Sequence, residues 1–287
     1  MISINTNYGG IFAAKASSQS QLQIDQAMER LSTGKRINHA RDDAAGQAIA
    51  TRLSAEIEGL AMASRNVADG QSLVDTAEGA LVETHALLLR MREIGVQAAN
   101  GTLSSSDNEA LDAEFQQLVA EIDRISDNTS WAGTSLLNGD STGGANTSAT
   151  FTFQAGVNNA TADRITIEVK NADSATLGVK DLTAGANVVN LLDMTNAQAA
   201  ITKVDDAIAS VSAERGKLGA VSNRMSSTMA NLDQITVNLT ASKGRIEDSD
   251  FAAETGNLAK GQILQQAATA MLAQANASKQ QVLTLIR

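Results

Sequence analysis

Residues 264–285 read LQQAATAMLAQANASKQQVLTL, and this stretch indicates the fold class. Its apolar and small residues recur at alternating intervals of four and three, the heptad spacing that runs one stripe along a helix. Glutamine and lysine occupy mostly the other positions. The stretch therefore predicts a helix that packs along another helix. Its seam is formed by Leu264, Ala268, Met271, Ala275, Ser278, Val282 and Leu285.

The same spacing predicts further helices upstream. One runs from about 44 to 99, where Asp42 or Asp43 can cap its start and Asn100-Gly101 ends it. Two more apolar seams predict a helix after SDNE at 106–109, which resembles a capping box, and a helix over about 195–240. Both chain ends are also helical, and they can pair antiparallel.

Residues 131–190 break the helical pattern. The segments TFTFQ at 150–154 and RITIEV at 164–169 alternate apolar and polar residues with a period of two, which is typical of strands. Asn138-Gly139 is a turn signal. The predicted fold class is mainly α, with long antiparallel helices or a coiled coil and a small β-hairpin unit.

The composition supports long helices and excludes several kinds of site. The chain has no proline, which would interrupt helices, and only one tryptophan, one tyrosine and five phenylalanines to fill a thick core. It has no cysteine, so disulfides, thiolate nucleophiles and sulfur-ligated metals are excluded. No apolar run approaches the roughly 20 residues of a membrane helix.

The charge is distributed unevenly between the ends and the middle. The net charge of −10 argues against nucleic acid as a partner. Residues 1–43 carry five basic and four acidic side chains, and residues 245–287 carry four of each, so the acidic excess lies in 44–244. Nearly neutral ends can pack against copies of themselves without strong repulsion. We therefore predict an assembly domain from both ends and a helical domain over 44–244 that includes the β unit.

Reactive side chains do not converge in the sequence. The two histidines, His39 and His85, are far apart and have no partners at metal-ligand spacing. A phosphate loop ending at Lys35 fails, because Glu29 replaces the first glycine and Arg36 follows the lysine. The sequence therefore predicts a protein that is not an enzyme, with no catalytic residue, no metal ligand and no cofactor.

Eight segments resemble bacterial flagellin, the subunit of the flagellar filament. They are RLSTGKRIN at 30–38, DDAAGQAIA at 42–50, SRNVADG at 64–70, TAEGAL at 76–81, LGAVSNR at 218–224, GRIEDSDF at 244–251, QILQQA at 262–267 and VLTLIR at 282–287. The resemblance covers residues 1–140 and 190–287, so little remains for large outer domains. It implies a short flagellin that self-assembles into the filament for motility.

The resemblance also implies a domain arrangement, a location and partners. Residues 1–43 and 245–287 would form the inner coiled-coil domain of a helical homopolymer, and 44–244 the rod-like domain outside it. The protein would be extracellular, secreted by flagellar type III export without a cleaved signal peptide and without membrane insertion. Its partners would be an export chaperone, a cap protein and a hook-junction protein. The self-assembly seam would comprise Leu264, Ala268, Met271, Ala275, Val282, Leu285, Ile4, Tyr8, Ile11 and Phe12.

Three alternatives remain at this point. One is the hook–filament junction protein, which is similar to flagellin at both ends. Another is a surface module that binds polysaccharide through the β unit. The third concerns a face of the rod domain that a host Toll-like receptor recognises in some flagellins. The alternative role of this face is lateral packing. Leu89, Ile94 and Gly95 depart from the commoner family residues, which favours packing. The residues of this face are Leu89, Arg90, Glu93, Ile94 and Glu114.

The terminal helices are expected to be marginal in a single subunit, because a thin, alanine-rich pair buries little apolar area. In dilute monomer, we expect amide protons of residues 264–285 to exchange rapidly. Hydrogen exchange read by mass spectrometry checks this, and strong protection of that segment would contradict the expectation.

Overall fold

The computed structural model of the chain describes residues 6–139, 148–180 and 189–286, with side chains as far as residue 280. Over these residues it has five α-helices and two small antiparallel sheets, which confirms the predicted fold class. The elements are α1 (Tyr8–Thr33), α2 (Ala44–Ala98), α3 (Ser105–Asn128), β1 (Ser130–Trp131), β2 (Thr134–Ser135), β3 (Ser148–Gln154), a 3₁₀ turn (Thr161–Asp163), β4 (Arg164–Lys170), α4 (Met194–Glu247) and α5 (Phe251–Ile286).

Helix ends follow the local capping chemistry. Helix α2 begins after Asp43, whose carboxylate accepts a hydrogen bond from the Gly46 amide at 2.9 Å. The predicted capping box at 106–109 is wrong, because the box lies at Ser104, whose side chain accepts from the Asp107 amide while Asp107 accepts from the Ser104 amide. Helix α4 continues past the expected end near 240 to Glu247.

The chain divides into two compact units. Unit 1 comprises residues 1–57 and 237–287, and unit 2 comprises residues 58–236. Both divisions fall inside a long helix, α2 and α4 respectively. The predicted assignment of the two parts of the chain to filament layers stays a prediction.

Within unit 2, α2 and α4 run antiparallel. Glu78 pairs with Arg215 at 2.8 Å, and Arg92 pairs with Asp205 at 2.6 Å, so residue numbers rise on one helix as they fall on the other. Large apolar side chains from α2 and α3 are fully buried in this unit, among them Leu88, Met91, Ile94, Phe115 and Ile122. Unit 2 thus has a core of its own.

The β unit packs on these helices as an antiparallel hairpin. Strands β3 and β4 pair with Phe151 opposite Ile167, and Ile165, Ile167 and Val169 of β4 are buried. The hairpin is anchored to α4 through buried Glu214, which accepts a hydrogen bond from the Lys170 amide at 3.1 Å. The predicted hairpin is therefore confirmed. A second, two-residue hairpin of β1 and β2, turning at Ala132 and Gly133 with positive φ, was not anticipated.

Two glycines of α2 should respond oppositely to alanine. A Cβ at Gly79 would have no atom within 4 Å, so Gly79→Ala should stabilise unit 2 by up to about 1 kcal/mol through helix propensity. A Cβ at Gly70 would lie 2.6 Å from the Met225 methyl and 3.2 Å from the Phe153 ring. Overpacking should therefore make Gly70→Ala destabilising by about 1–3 kcal/mol.

Urea unfolding followed by the fluorescence of Trp131, the one tryptophan of the chain, measures both variants in the same unit. Equal shifts of the midpoint in the two variants would contradict the packing argument.

Candidate assembly surface

Helices α1 and α5 form an antiparallel pair in unit 1. The Asn7 side chain donates to Asn276 at 3.2 Å near one end, and Arg30 pairs with Glu254 at 2.9 Å near the other. Between these, the Gln265 amide donates to Gln21 at 2.6 Å. The two ends of the chain thus meet along the length of both helices.

Small residues let the two helices approach closely. On α1 the buried positions are Gly10, Ala13, Ser20 and Ala27, which recur at heptad-like intervals. On α5 a Cβ at Gly261 would lie 2.8 Å from Cγ1 of Ile24, so a larger residue there would force the Ile24 side chain to shift. The pair is consequently held by backbone proximity rather than by large interlocking side chains.

One ion pair is largely buried between the helices. The side chains of Arg30 and Glu254 keep only 22% and 10% of their exposure, and Asn257 also donates to Glu254. The Nε atom of Arg30 is buried and has no hydrogen-bond partner. Because a buried charge without its partner is costly, Glu254 ties the start of α5 to the end of α1.

A turn after α1 is pinned to the segment between α4 and α5. Gly34 adopts a left-handed φ of 70°, and its carbonyl accepts from the Ser249 amide at 2.9 Å. The Lys35 ammonium pairs with the buried Glu247 carboxylate. These contacts set where α5 begins relative to α1.

The link from α1 to α2 is ordered by Asp42. Hydrogen bonds from the backbone amides of His39 and Asn38 to its carboxylate outweigh desolvation and lower the pKa of Asp42. His39 itself lies 2.8 Å from Glu29. The motifs at 30–38 and 42–50 therefore build the connection between two helices.

The exposed surfaces of α1 and α5 also carry large apolar side chains. Tyr8 and Phe12 of α1 are 71% and 76% exposed, and Ile11 is exposed beside them. On α5, Leu264 and Met271 are exposed one heptad apart. A water-soluble helix pair would normally carry polar residues on such faces, so this apolar surface, which we call the outer face, lacks a partner within the described chain.

The structure divides the predicted seam between two faces. Tyr8, Ile11, Phe12, Leu264 and Met271 lie on the outer face, whereas Ala268 is buried against α1 and Ala275 is half-buried there. Ile4 lies outside the described residues, as do the side chains of Val282 and Leu285.

The sequence reading missed the stripe of α5 that packs on α1. It runs through Glu254, Leu258, Gly261, Gln265, Ala268, Leu272 and Ala275. This stripe also has heptad spacing, but its glycine, glutamate and glutamine make it less apolar than the predicted seam. The heptad intervals were the sequence signal from which this stripe could have been predicted.

The predicted rod-domain face is only partly exposed. Arg90 donates to Glu114 at 2.8 Å and to Glu93 at 3.1 Å, and these hydrogen bonds raise the pKa of Arg90. Leu89 is exposed. The inclusion of Ile94 in this face is wrong, because its side chain is buried in the core of unit 2.

The described residues offer no cluster of three acidic or histidine side chains that could hold a metal ion. Among the same residues, no helix has the length and apolar character needed to span a bilayer.

Known proteins are similar to this chain over nearly its whole length. A family model for the bacterial flagellin N-terminal helical region matches residues 4–142, and one for the bacterial flagellin C-terminal helical region matches residues 201–286. Flagellin of Halalkalibacterium halodurans is 44% identical over 92% of each chain, and flagellin of Bacillus subtilis is 43% identical over 99% of each. The flagellar filament 33 kDa core protein of Treponema phagedenis is 39% identical over 99% of each.

Removing the buried carboxylate should loosen the terminal pair. Glu254→Gln leaves Arg30 without its charged partner and should cost about 1.5–3 kcal/mol of local stability, the range for hydrogen bonds to charged groups. Hydrogen exchange of the α5 amides near residues 254–272 measures the loss. Asp25→Asn makes the same carboxylate-to-amide change at an exposed position of α1, where the side-chain oxygen can still accept from Gln21 as the carboxylate does at 2.8 Å, and this control should change protection little. Equal effects of the two variants would contradict the role of the buried pair.

Proposed function

This chain belongs to the bacterial flagellin family, and from that membership we propose how its two units divide the work of building a filament. The chain is a structural subunit of the bacterial flagellar filament, which serves motility. Full-length relatives at 43–44% identity are flagellins, and nothing favours a hook–filament junction protein or a polysaccharide-binding module.

We propose that the outer face of unit 1 is where neighbouring subunits bind. The observation that carries this proposal is the exposure of Tyr8, Phe12 and Met271 on helices whose other face is already packed. Burying one large apolar side chain contributes about 1.5–3 kcal/mol. The five exposed side chains of the outer face could therefore offset the roughly 4–15 kcal/mol that association costs.

The layers follow from charge and burial. We propose that residues 1–43 and 245–287 form the inner coiled-coil layer, because their net charge is close to zero and their apolar face is exposed in the single subunit. Residues 44–244 would form the rod-like layer outside it, because this part carries the acidic excess. Neighbouring copies then stabilise terminal helices that are marginal alone.

The face at Leu89, Arg90, Glu93 and Glu114 is proposed as a lateral packing surface. The Arg90 guanidinium already donates hydrogen bonds to Glu114 and Glu93, so its charge is compensated within the subunit. A receptor that needs this arginine would have to compete with both carboxylates. Packing between subunits does not require Arg90 to give up these partners, which supports this role over recognition by a Toll-like receptor.

Location and partners follow from family resemblance. The family's filament is extracellular, and we propose that this chain reaches it by flagellar type III export without a cleaved signal peptide. An export chaperone, a cap protein and a hook-junction protein complete the proposed partner set, alongside copies of the chain itself. Because assembly is the whole task, we propose no catalytic step and no cofactor.

Deleting residues 264–287 tests the role of the terminal helices. The shortened chain should keep a folded unit 2 but fail to elongate filament seeds, because most of α5, with Leu264 and Met271 of the outer face, is lost. Electron microscopy of seeded solutions reads the outcome, and Trp131 fluorescence reports the fold of unit 2. Filaments built from the shortened chain would overturn the proposal.

A point variant separates the outer face from the helix pair. Leu264→Asp should reduce elongation at least tenfold, since a buried, unpaired carboxylate is costly in the assembled state. Leu264→Met keeps an apolar side chain at the same place and should elongate normally. Circular dichroism of both monomers should match the parent, and normal elongation by Leu264→Asp would exclude this residue from the interface.

A further inference from the structure

Of the methionines that the structure describes, two are buried, four are exposed and Met229 is half-buried. Met91 and Met225 are completely buried in unit 2. Met271 is 63% exposed, and Met28, Met62 and Met194 are each about half exposed. Susceptibility of a thioether to oxidation follows its exposure, so a single subunit in solution presents these four sulfur atoms to an oxidant.

Met271 differs from the other exposed methionines in its place on the outer face. It lies one turn after Ala267 and two turns after Leu264, both exposed on the same side of α5. Along the pair it sits between the contact of Gly9 with Ala275 and the hydrogen bond of Gln21 with Gln265. It therefore lies opposite about Ala14 of α1, two residues beyond Phe12.

We propose that Met271 is a modification site at which peroxide controls self-assembly. Oxidation of the free subunit converts the thioether to a sulfoxide and prevents the subunit from joining a filament. The inference rests on the proposed function, because the outer face matters only if other copies of the chain cover it.

The chemical step requires one peroxide molecule. The Met271 sulfur attacks one oxygen of hydrogen peroxide, an S–O bond forms and the O–O bond breaks. Sulfur is oxidised by two electrons, and the second peroxide oxygen leaves as water after taking up the proton of the transferred oxygen. No residue of the chain has to act as a catalyst, so access to the sulfur decides the rate.

The product changes the outer face without disturbing the helix pair. A sulfoxide is polar and accepts strong hydrogen bonds, and in the free subunit water satisfies it. Burial between subunits would remove that water, so the oxidised side chain should oppose association. The contacts that hold α5 on α1 come from Gly261, Gln265 and Ala268, beside which the Met271 side chain stays 63% exposed. The oxidised subunit should therefore stay folded.

Seeded elongation of peroxide-treated monomer tests the inference. Monomer of the parent, of Met271→Leu and of Met28→Leu is oxidised with hydrogen peroxide, mapped by peptide mass spectrometry and added to untreated seeds. Leucine preserves apolar volume but cannot form a sulfoxide. We expect the critical concentration to rise at least tenfold for the oxidised parent and for oxidised Met28→Leu. Oxidised Met271→Leu should elongate like untreated protein, although its Met28, Met62 and Met194 are oxidised.

Two further measurements use only the parent protein, so they test the inference even if a variant fails to fold. In preassembled parent filaments, Met271 should oxidise at least tenfold more slowly than in monomer, because neighbours cover it. Treatment of oxidised monomer with methionine sulfoxide reductases should restore elongation, since these enzymes reverse the modification.

The outcomes separate this inference from the proposed function. Untreated parent that does not elongate on seeds would overturn the proposed function, and this inference with it. Untreated parent that elongates while oxidised parent elongates equally well would overturn only the role of Met271. Equal inhibition of oxidised Met271→Leu and oxidised parent, or equal oxidation of Met271 in filament and monomer, would also overturn that role.

Discussion

Close packing of α1 against α5 is the interaction on which unit 1 depends. It joins the two ends of the chain through small side chains, with Gly10 and Ala13 on one helix and Gly261 and Ala268 on the other. Small residues bring the backbones together but remove little apolar area from water. Large apolar side chains such as Tyr8, Phe12 and Met271 stay exposed. A pair built this way is thin, and its stability depends on what covers the outer face.

Unit 2, in contrast, buries its own large apolar side chains. Its helices α2 and α4 are joined by ion pairs across their length, and α3 and the hairpin supply bulky residues such as Phe115 and Ile167. The hairpin is also tied to α4 through Glu214. A unit with such a core can fold without neighbours, whereas unit 1 gains most from them. This difference fits the proposed role of unit 1 in assembly, because folding and association of the terminal helices can be completed together.

Periodicity predicted the elements well and their partners less well. Intervals of four and three identified α2, α4 and α5, and the period of two identified β3 and β4. The capping box was placed two residues too late, since serines at 104–106 offer similar local chemistry and only the fold selects one. The family resemblance placed Ile94 on a receptor or lateral packing face, yet its side chain is buried in the core of unit 2.

The sequence by itself determined the helical class, the order of elements and the membership of the flagellin family, because these depend on local spacing and on long contiguous motifs. The tertiary structure alone decided which stripe of α5 faces α1. The predicted seam and the packed stripe both have heptad spacing and share Ala268 and Ala275, and spacing is a property of one helix that contains no information about its partner. The choice depends on where a side chain of one helix finds room on the other, as Ile24 does against Gly261. That choice leaves Leu264 and Met271 exposed in the single subunit.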